Sequence, residues 1–453
     1  MGRDKLGSRL GFILLSAGCA IGIGNVWKFP YVVGQNGGGL FVLIYLFFLV
    51  ILGIPVLTME FSIGRAAQKS PAKMYEQLEP KGSKWHLHGK VSLIGCYLLM
   101  MFYTTVAGWM LKFFVSTASG EIVGMDTAAV ENHFNVDVLG DPVSLIVYMG
   151  IVVAIGVAVC LIGVQNGLEK VTKIMMLALL AIMVVLAINS FTMPGGAEGL
   201  SFYLMPDFSA IEKVGITNIL VSAMNQAFFT LSIGMGSMAI FGSYIGKDRS
   251  LLGESVNVAM LDTFVAVASG LIIFPACSAY GVDVTSGPKL LFITLPNIFN
   301  NIPLGRLWGS LFFVFLSFAA LSTVLAVFEC IIANTMDLWG LSRKKACIIN
   351  GILLFLLSVP CCLGFNILSG FQPLGAGSTV LDLEDFIVSN LLLPVGSLIY
   401  LLFCTSKWGW GFKNYQAEAN KGGGLKVPDW VRVYLSYILP LLLLVLIVQG
   451  LIG

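Results

Sequence analysis

Two short glycine-rich stretches interrupt apolar segments of this chain: GCAIGIGN at residues 18–25 and TLSIGMGS at residues 230–237. Each glycine disfavours helix by about 1 kcal/mol relative to alanine. Close helix packing would explain an isolated small-residue motif. It explains less well two clusters that also contain the polar residues Asn25, Thr230 and Ser232. We therefore predict two helices that are broken partway along their length.

The chain has the composition of an integral membrane protein. It has 453 residues, of which 57% are hydrophobic and 11% are charged, and its mean hydropathy is +0.91. Soluble domains contain about 25% charged residues, and a disordered chain would contain far fewer apolar ones. A membrane-spanning helix needs about 20 mostly apolar residues. Eleven segments, numbered here as spans 1 to 11, meet this length: 10–34, 39–64, 90–118, 142–163, 167–190, 217–245, 254–281, 305–337, 346–363, 386–404 and 431–451.

The two breaks fall in spans 1 and 6, which are five spans apart. Repeats of five spans would place each break at the same point, and an odd number of spans inverts the second repeat. We therefore predict an all-α membrane protein with eleven transmembrane helices and broken helices 1 and 6. A single transport domain at 1–453 would contain inverted repeats at 10–190 and 217–404 and an additional helix at 431–451. Unwound backbone can bind ions, which favours a secondary transporter over a channel or receptor.

Lysine and arginine are concentrated on alternate loops, which we call the basic side. These loops hold 20 of the 26 Lys and Arg residues. An excess of positive charge marks the cytoplasmic side, so we expect a cytoplasmic N-terminus and, after eleven spans, an outside C-terminus. All nine cysteines lie in or at the ends of spans, which argues against a disulfide framework. We expect a multi-pass protein of the bacterial inner (plasma) membrane.

Several polar residues lie within the apolar spans. A charge at this depth is costly unless it is paired, coordinated or neutralised. We interpret Glu60 and Glu329 as structural hydrogen-bond hubs, which could accept N–H groups freed by the breaks, and Asp262 as functional. Ser322 and Thr323 fit bonds to their own helix and a pair of sodium ligands equally well.

The broken segments closely resemble those of the neurotransmitter:sodium symporter family. The resemblance rests on GCAIGIGNVWKFPY at residues 18–31, NGGG at 36–39 and FFTLSIG at 228–234, and it runs over nearly the whole chain. It implies the leucine-transporter fold. That family normally has twelve spans, and this chain resembles its eleven-span bacterial amino-acid transporters.

The resemblance implies two sodium sites, a substrate site and two gates. Sodium site 1 would use Ala20, Asn25, Thr230 and Asp262 together with the substrate carboxylate. Sodium site 2 would use Gly18, Ile21, Ala319, Ser322 and Thr323. The substrate would lie against Ala20, Gly22, Gly24, Leu99, Tyr103, Phe229, Thr230, Ser232, Met235, Thr323 and Val327. The outer gate would be Lys28 with Asp385, and the inner gate Arg3 with Asp337, supported by Tyr244.

The resemblance also implies sodium-coupled import of a neutral, hydrophobic amino acid by alternating access. Every implied ion ligand is oxygen, which hard cations prefer; two ligand sets imply two Na⁺ ions and no organic cofactor. Gly22 stands where amine-transporting relatives place an acidic residue, so the substrate must supply its own carboxylate. Asp262 replaces the usual Asn, and Ala266 supplies no hydroxyl to the chloride site beside Tyr45 and Gln226. We therefore expect chloride-independent transport.

Three departures from the family pattern affect the gates and the fifth span. Lys28 replaces the usual Arg, which removes bidentate geometry from the outer gate. Leu6 replaces a Trp of the inner gate. Leu177 stands where a Pro helps span 5 to unwind, so the inner water route should open less readily.

Alternatives stay open at this point. The cargo could be an osmolyte or an amine, or the chain could be a sensor or channel. Asp262 could also act as a ligand alone, without carrying a proton on the return step. No nucleophile–base pair or nucleotide motif is visible, so neither an enzyme nor a nucleic-acid partner is expected, and the oligomeric state is left open. His86 and His88 have no further ligand nearby, so we interpret them as part of a solvated loop.

Overall fold

Helices and their connecting loops form the described part of the computed structural model, residues 5–281 and 289–452, in which no β-strand occurs. Nine helices in these ranges are long and apolar enough to cross a membrane. They correspond to spans 2, 3, 4, 5, 7, 8, 9, 10 and 11: Gly39–Ala67, His86–Ser119, Pro142–Ile162, Val164–Phe191, Leu251–Ala279, Gly305–Trp339, Arg343–Leu363, Val380–Thr405 and Val431–Gln449.

Span 1 is broken as predicted. Its halves, Arg9–Ala20 and Gly24–Gln35, meet at an angle of 55°. Ser8 caps the start of the first half: its hydroxyl accepts a hydrogen bond from the Gly11 amide and so satisfies one of the free donors of the first turn. Ile21 after the first half has extended backbone.

Span 6 is broken too, into Ile216–Thr230 and Ser237–Gly242. Between the halves, φ is +49° at Ser232, +103° at Gly234 and +80° at Gly236. Glycine adopts this left-handed region at no steric cost, so the two glycines explain most of the break. Neither half alone is long enough to count as a span. The all-α prediction is confirmed, whereas the count of eleven spans stays a prediction.

Span 2 holds the second half of span 6 in close contact. Gly64 packs against the Ala239 carbonyl and Gly242 against the Phe61 carbonyl, so closely that a Cβ atom at either glycine would collide with backbone. The Glu60 carboxylate accepts a hydrogen bond of 2.5 Å from the Gly234 amide. Glu60 therefore satisfies an N–H group of the break, as predicted from the sequence.

Glu329 is a hydrogen-bond hub, as interpreted from the sequence, but its partners in the described part of the chain are side chains and not backbone N–H groups freed by the breaks. Its carboxylate pairs with the guanidinium of Arg343 and accepts a hydrogen bond of 2.6 Å from the Tyr244 hydroxyl. Arg343 is the first residue of span 9, and its Nε atom also donates to the Cys160 carbonyl at 2.7 Å. The Arg343 guanidinium at the start of span 9 thus compensates the Glu329 charge. This ion pair was not predicted from the sequence.

The solvated-loop interpretation is wrong for His88. Span 3 begins at His86, four residues earlier than predicted, and His88 is buried. Its Nδ1 atom lies 2.8 Å from the Tyr75 hydroxyl, while His86 Nδ1 lies 2.7 Å from Glu79 Oε1. The two histidines therefore have separate hydrogen-bond partners.

A short helix, Phe412–Ala419, follows span 10 and is anchored on the end of span 2. Arg65 is fully buried there, and its Nε atom lies 2.8 Å from Glu418 Oε1. Burial raises the pKa of Glu418, but hydrogen bonds and charge from Lys421 and Arg65 outweigh this and hold it below its ordinary value. Beyond the helix, Gly423 forms a bridge with Arg249. The segment after span 10 is thus fixed to the end of span 2 and to the loop between spans 6 and 7.

Candidate functional site

Three of the four protein residues predicted for sodium site 1 meet in a fully buried cluster. The Asn25 amide nitrogen donates to Asp262 Oδ1 at 2.8 Å and to Thr230 Oγ1 at 3.1 Å. The Thr230 hydroxyl donates to Asp262 Oδ2 at 2.8 Å. These bonds bring together polar side chains from spans 1, 6 and 7, and the Asn25 side-chain oxygen accepts a hydrogen bond of 3.2 Å from the Gly22 amide. Ala20, the fourth residue, ends the first half of span 1.

The predicted residues of sodium site 2 also lie together. The Ser322 hydroxyl donates to its own helix at Ala319 O (2.9 Å) and across to Ile21 O (3.2 Å). The bond to Ala319 agrees with the first interpretation left open for this hydroxyl, whereas its role as a sodium ligand stays a prediction. The Thr323 hydroxyl lies 3.3 Å from Gly18 O and 3.4 Å from Ile21 O.

Thr323 Oγ1 also lies 3.3 Å from the carbonyl oxygen of Cys19. The sequence did not single out Cys19, because the orientation of each carbonyl depends on the backbone angles of the break.

A narrow central cavity lies between the two breaks, with an open volume of about 10 Å³. This is close to the space that one water molecule requires. It is lined by Ala20, Gly24, Leu99, Tyr103, Phe229, Ser232, Met235, Thr323 and Leu393. All but Leu393 belong to the predicted substrate site. The predicted residues Gly22, Thr230 and Val327 are not among the lining residues.

Two glycines of span 1 lie against the aromatic residues of this cavity. The Tyr103 hydroxyl accepts a hydrogen bond of 2.8 Å from the Ile23 amide, and a Cβ atom at Gly22 would collide with that hydroxyl and with Thr323. A Cβ atom at Gly24 would lie 2.7 Å from the Phe229 ring. Any side chain at position 22, including an acidic one, would therefore have to displace Tyr103.

A larger vestibule of about 270 Å³ lies beyond the central cavity. Its lining includes Trp27, Lys28, Phe102 and Asp385, and it shares Tyr103 and Phe229 with the central cavity. Since these two aromatic side chains face both spaces, they form the partition between them.

The residues predicted for the outer gate are in contact at the vestibule. Lys28 Nζ lies 3.5 Å from Asp385 Oδ2 and 4.0 Å from the centroid of the Phe229 ring, a distance typical of a cation–π contact. Ser389, which the sequence did not single out, lies 3.2 Å from Lys28 Nζ and donates to Asp385 at 2.6 Å. The ammonium group therefore connects the gate to the aromatic partition.

The inner-gate prediction is only partly within the described residues. Arg3 lies outside them, whereas Asp337 accepts a hydrogen bond of 2.7 Å from the Ser70 amide. The Tyr244 hydroxyl donates to Glu329. Tyr244 is therefore linked to the pair formed by Glu329 and Arg343.

Two polar atoms beside sodium site 1 have no hydrogen-bond partner in the described part of the chain: the Tyr45 hydroxyl and Gln226 Oε1. The Gln226 amide nitrogen donates to the Gly24 carbonyl at 3.2 Å. The nearby Ala266 is buried and contributes no polar side-chain atom.

Comparison with known proteins agrees with this architecture. The chain is 37% identical over 400 residues to a sodium-dependent transporter of Bacillus subtilis (strain 168), covering 88% of this chain and 87% of the relative. It is 33% identical over 466 residues to a sodium-dependent transporter of Methanocaldococcus jannaschii, covering 98% and 89%. The crystal structure of MhsT in complex with L-phenylalanine superposes with a TM-score of 0.89 at 36% identity, covering 99% of this chain and all of MhsT.

The family comparison covers the chain from end to end. Residues 3–135 and 127–453 match the sodium:neurotransmitter symporter family. With its helices broken at the predicted positions and relatives that are sodium-dependent transporters, the chain belongs to the sodium:neurotransmitter symporter family.

Proposed function

We propose that this transporter imports a neutral, hydrophobic amino acid together with two sodium ions by alternating access. The observation that carries the proposal is the position of the central cavity between the two oxygen clusters. Ala20 and Thr323, which line it, belong to sodium sites 1 and 2 respectively. A substrate held there would contact residues of both ion sites, which is the requirement for coupled binding.

The two clusters suit sodium because their ligands are oxygens. Site 1 would place one ion among the Ala20 carbonyl and the side-chain oxygens of Asn25, Thr230 and Asp262. Site 2 would use three backbone carbonyls and two hydroxyls, from Gly18, Ile21, Ala319, Ser322 and Thr323. Hard cations prefer such ligands.

The polar end of the cavity favours an amino acid over an amine. The Tyr103 hydroxyl and the start of the second half of span 1 lie together there, and helix N-termini attract anions. A substrate carboxylate would fit between them and complete site 1. Gly22 leaves no room for an acidic side chain that could replace this carboxylate.

The remaining wall of the cavity is apolar. Leu99, Met235 and Leu393 contribute aliphatic surface, and Phe229 contributes an aromatic face. A charged substrate side chain would lose its hydration here without gaining a partner. The similar transporter MhsT forms a complex with L-phenylalanine, which supports a hydrophobic cargo. Because the open volume is small, the Phe229 side chain and the span 6 break would move aside to admit it.

Chloride independence rests on the Asp262 carboxylate. The substrate carboxylate balances one Na⁺ ion at site 1, and a second fixed negative charge is needed to balance the other. Asp262 supplies this charge within site 1, and Ala266 provides no hydroxyl for a bound anion.

The distribution of basic residues supports a cytoplasmic N-terminus and an outside C-terminus in the plasma membrane. The vestibule would then face outward, where sodium is concentrated. Each ion entering down 100 mV gains about 2.3 kcal/mol, and a tenfold gradient adds about 1.4 kcal/mol. Two ions supply about 7 kcal/mol, enough for roughly 10⁵-fold accumulation if coupling is tight.

The test is uptake of radiolabelled phenylalanine into liposomes that contain the purified transporter. We expect uptake with sodium outside and none when choline replaces it. Competition by the other amino acids, taurine and tryptamine would define the cargo, with hydrophobic amino acids competing best. Uptake that persists in choline would overturn sodium coupling, and strongest competition by tryptamine would establish the amine alternative. Currents far above the uptake rate would indicate a channel.

A further inference from the structure

A third cavity, larger than the central cavity and the vestibule, lies on the membrane-facing surface and shares no lining residue with either of them. This groove has a volume of about 420 Å³ and runs between spans 4 and 9. Its walls are aliphatic and aromatic, including Leu161, Ile348, Ile352 and Phe355.

Small residues create the groove by allowing the two helices to approach each other. Gly150 of span 4 lies against the Phe355 ring, and Gly351 of span 9 lies against Val157. These contacts show that the helices run antiparallel. Ala154 and Ala158 are exposed between them and line the groove, so its floor is shallow and its rims are formed by larger side chains.

Two lysines stand at the basic-side end of the groove. Lys344 and Lys345 are exposed, and neither ammonium group forms an ion pair or hydrogen bond among the described residues. Lys345 is three residues before Ile348 and seven before Ile352, so it lies on the helix face that lines the groove. Lys344 is four residues before Ile348 and seven before Gly351, so it lies near the same face. Long lysine side chains reach the membrane interface from such positions.

We propose that the groove between spans 4 and 9 binds one acyl chain of an anionic glycerophospholipid, whose phosphate is held by Lys344 and Lys345. Gly150 and Leu161, the limits of the groove on span 4, are about 17 Å apart at 1.5 Å per residue. One leaflet of the hydrocarbon core is about 15 Å thick. The groove therefore has the length of a single acyl chain, with the two cations at the depth of its headgroup.

A second copy of this chain fits the groove less well. Every copy inserted in the same orientation presents its basic loops on the same side of the membrane. A neighbouring copy would therefore bring more lysine and arginine toward Lys344 and Lys345, and like charges repel. A lipid phosphate instead supplies the opposite charge.

The headgroup contact is tested by native mass spectrometry of the delipidated transporter, with dioleoyl phosphatidylglycerol or dioleoyl phosphatidylcholine added. We expect one tight adduct that prefers phosphatidylglycerol. Lys344→Gln with Lys345→Gln should weaken it about 25-fold, at about fivefold per lysine near an anionic headgroup. Binding of phosphatidylcholine should not change. Lys407→Gln with Lys413→Gln removes two exposed lysines elsewhere on the basic side and is the matched control. Equal effects of the two double variants would overturn the headgroup assignment.

The acyl-chain contact is tested by filling the groove with Ala154→Leu and Ala158→Leu. This double variant should lose the tight adduct for both lipids while keeping the melting temperature of the wild type. Ala181→Leu, at an exposed position of span 5, should keep it. An unchanged adduct in the filled variant would overturn the proposal. The proposal would also be overturned if the wild type were a dimer and the filled variant a monomer that still binds the lipid. That result would identify a second copy of the chain as the occupant of the groove.

Discussion

Asp262 is the single residue whose charge we expect to set the anion requirement of transport. Asp262→Asn removes the negative charge and keeps a side-chain oxygen for the ion. We expect wild-type uptake to be equal in chloride and in gluconate, and the uptake by Asp262→Asn to fall in gluconate. Radiolabelled uptake in the two salts measures this. A wild type that needs chloride would contradict the proposed role.

Thr323 offers a direct test of sodium site 2. Thr323→Ala removes one oxygen ligand, so the sodium concentration for half-maximal uptake should rise about fivefold or more, as expected for about 1 kcal/mol. High sodium should partly restore uptake. Ser310→Ala is the control, because this exposed hydroxyl of the same helix bonds only to Arg306 O in the described part of the chain. Unchanged sodium dependence of Thr323→Ala would remove Thr323 from the site.

Tyr103 tests the proposed carboxylate contact. Tyr103→Phe keeps the ring of the partition and removes one hydrogen bond, so the KM for the amino acid should rise about fivefold. Tyr97→Phe removes a hydroxyl of the same helix that bonds to Asn350 instead, and it should leave KM unchanged. Equal KM values for wild type and Tyr103→Phe would refute the contact.

Sequence reasoning worked best for residues with a distinctive chemical type. Asn25, Thr230 and Asp262 are polar residues in apolar spans, and the structure brings them together. Leu393 and the Cys19 carbonyl were missed, because an ordinary leucine and an ordinary carbonyl carry no sequence signal. Their positions depend on how the broken helices turn.

At the scale of elements, the glycine clusters predicted both breaks. The Ser232 conformation was not predictable, since a serine with positive φ gives no sequence signal; surrounding contacts impose it. The helix Phe412–Ala419 was also missed, because it is short and has neither a membrane-length apolar run nor a clear start signal.

This short helix gives a pH-dependent prediction. The folded-state pKa of Glu418 is lowered, so its ion pair with Arg65 stabilises the fold above the ordinary carboxyl pKa of about 4.5. The contribution is lost as pH falls through the lowered value. Glu418→Gln leaves a buried cation unpaired and should cost about 3–5 kcal/mol at pH 7.

Melting temperatures of wild type and Glu418→Gln, measured from pH 7 down to pH 3.5, check this expectation. The difference should be largest at neutral pH and shrink below about pH 4.5. Glu76→Gln disrupts a half-exposed pair with Lys73 and should change the melting temperature little. A melting-temperature difference between wild type and Glu418→Gln that does not change with pH would contradict the ion-pair account.

At the scale of the whole molecule, hydrophobicity predicted the membrane class, whereas the inverted repeats inferred from the two breaks and the orientation inferred from the charge distribution stay predictions. Hydrophobicity and charge distribution could not predict which loops interlock on the basic side. The anchoring of Phe412–Ala419 on span 2 depends on contacts between residues more than 300 positions apart, and single-sequence patterns carry no information on such contacts.

The proposed orientation can be tested by thiol labelling, because all nine native cysteines are buried. A membrane-impermeant maleimide should label Ala128→Cys in intact cells, since this exposed residue lies between spans 3 and 4, where residues 119–141 include acidic side chains and no Lys or Arg. Lys81→Cys, on an exposed basic-side loop, should react only after the membrane is opened. The reverse pattern would invert the topology.

The contact between span 2 and the second half of span 6 has a mechanical consequence. At Gly64 and Gly242 the backbones of the two helices are in direct contact, with no intervening side chains that could change rotamer. Sliding of one helix along the other would therefore bring backbone atoms into steric overlap. The two segments must therefore move together as one rigid body, and the hydrogen bond from the Gly234 amide to Glu60 links the end of this body to the break. The hinge for this movement would then lie at residues 232–236, where Ser232, Gly234 and Gly236 have positive φ. Because Ser232 and Met235 line the central cavity, the segment that shapes the proposed substrate site would also be the hinge of the conformational change.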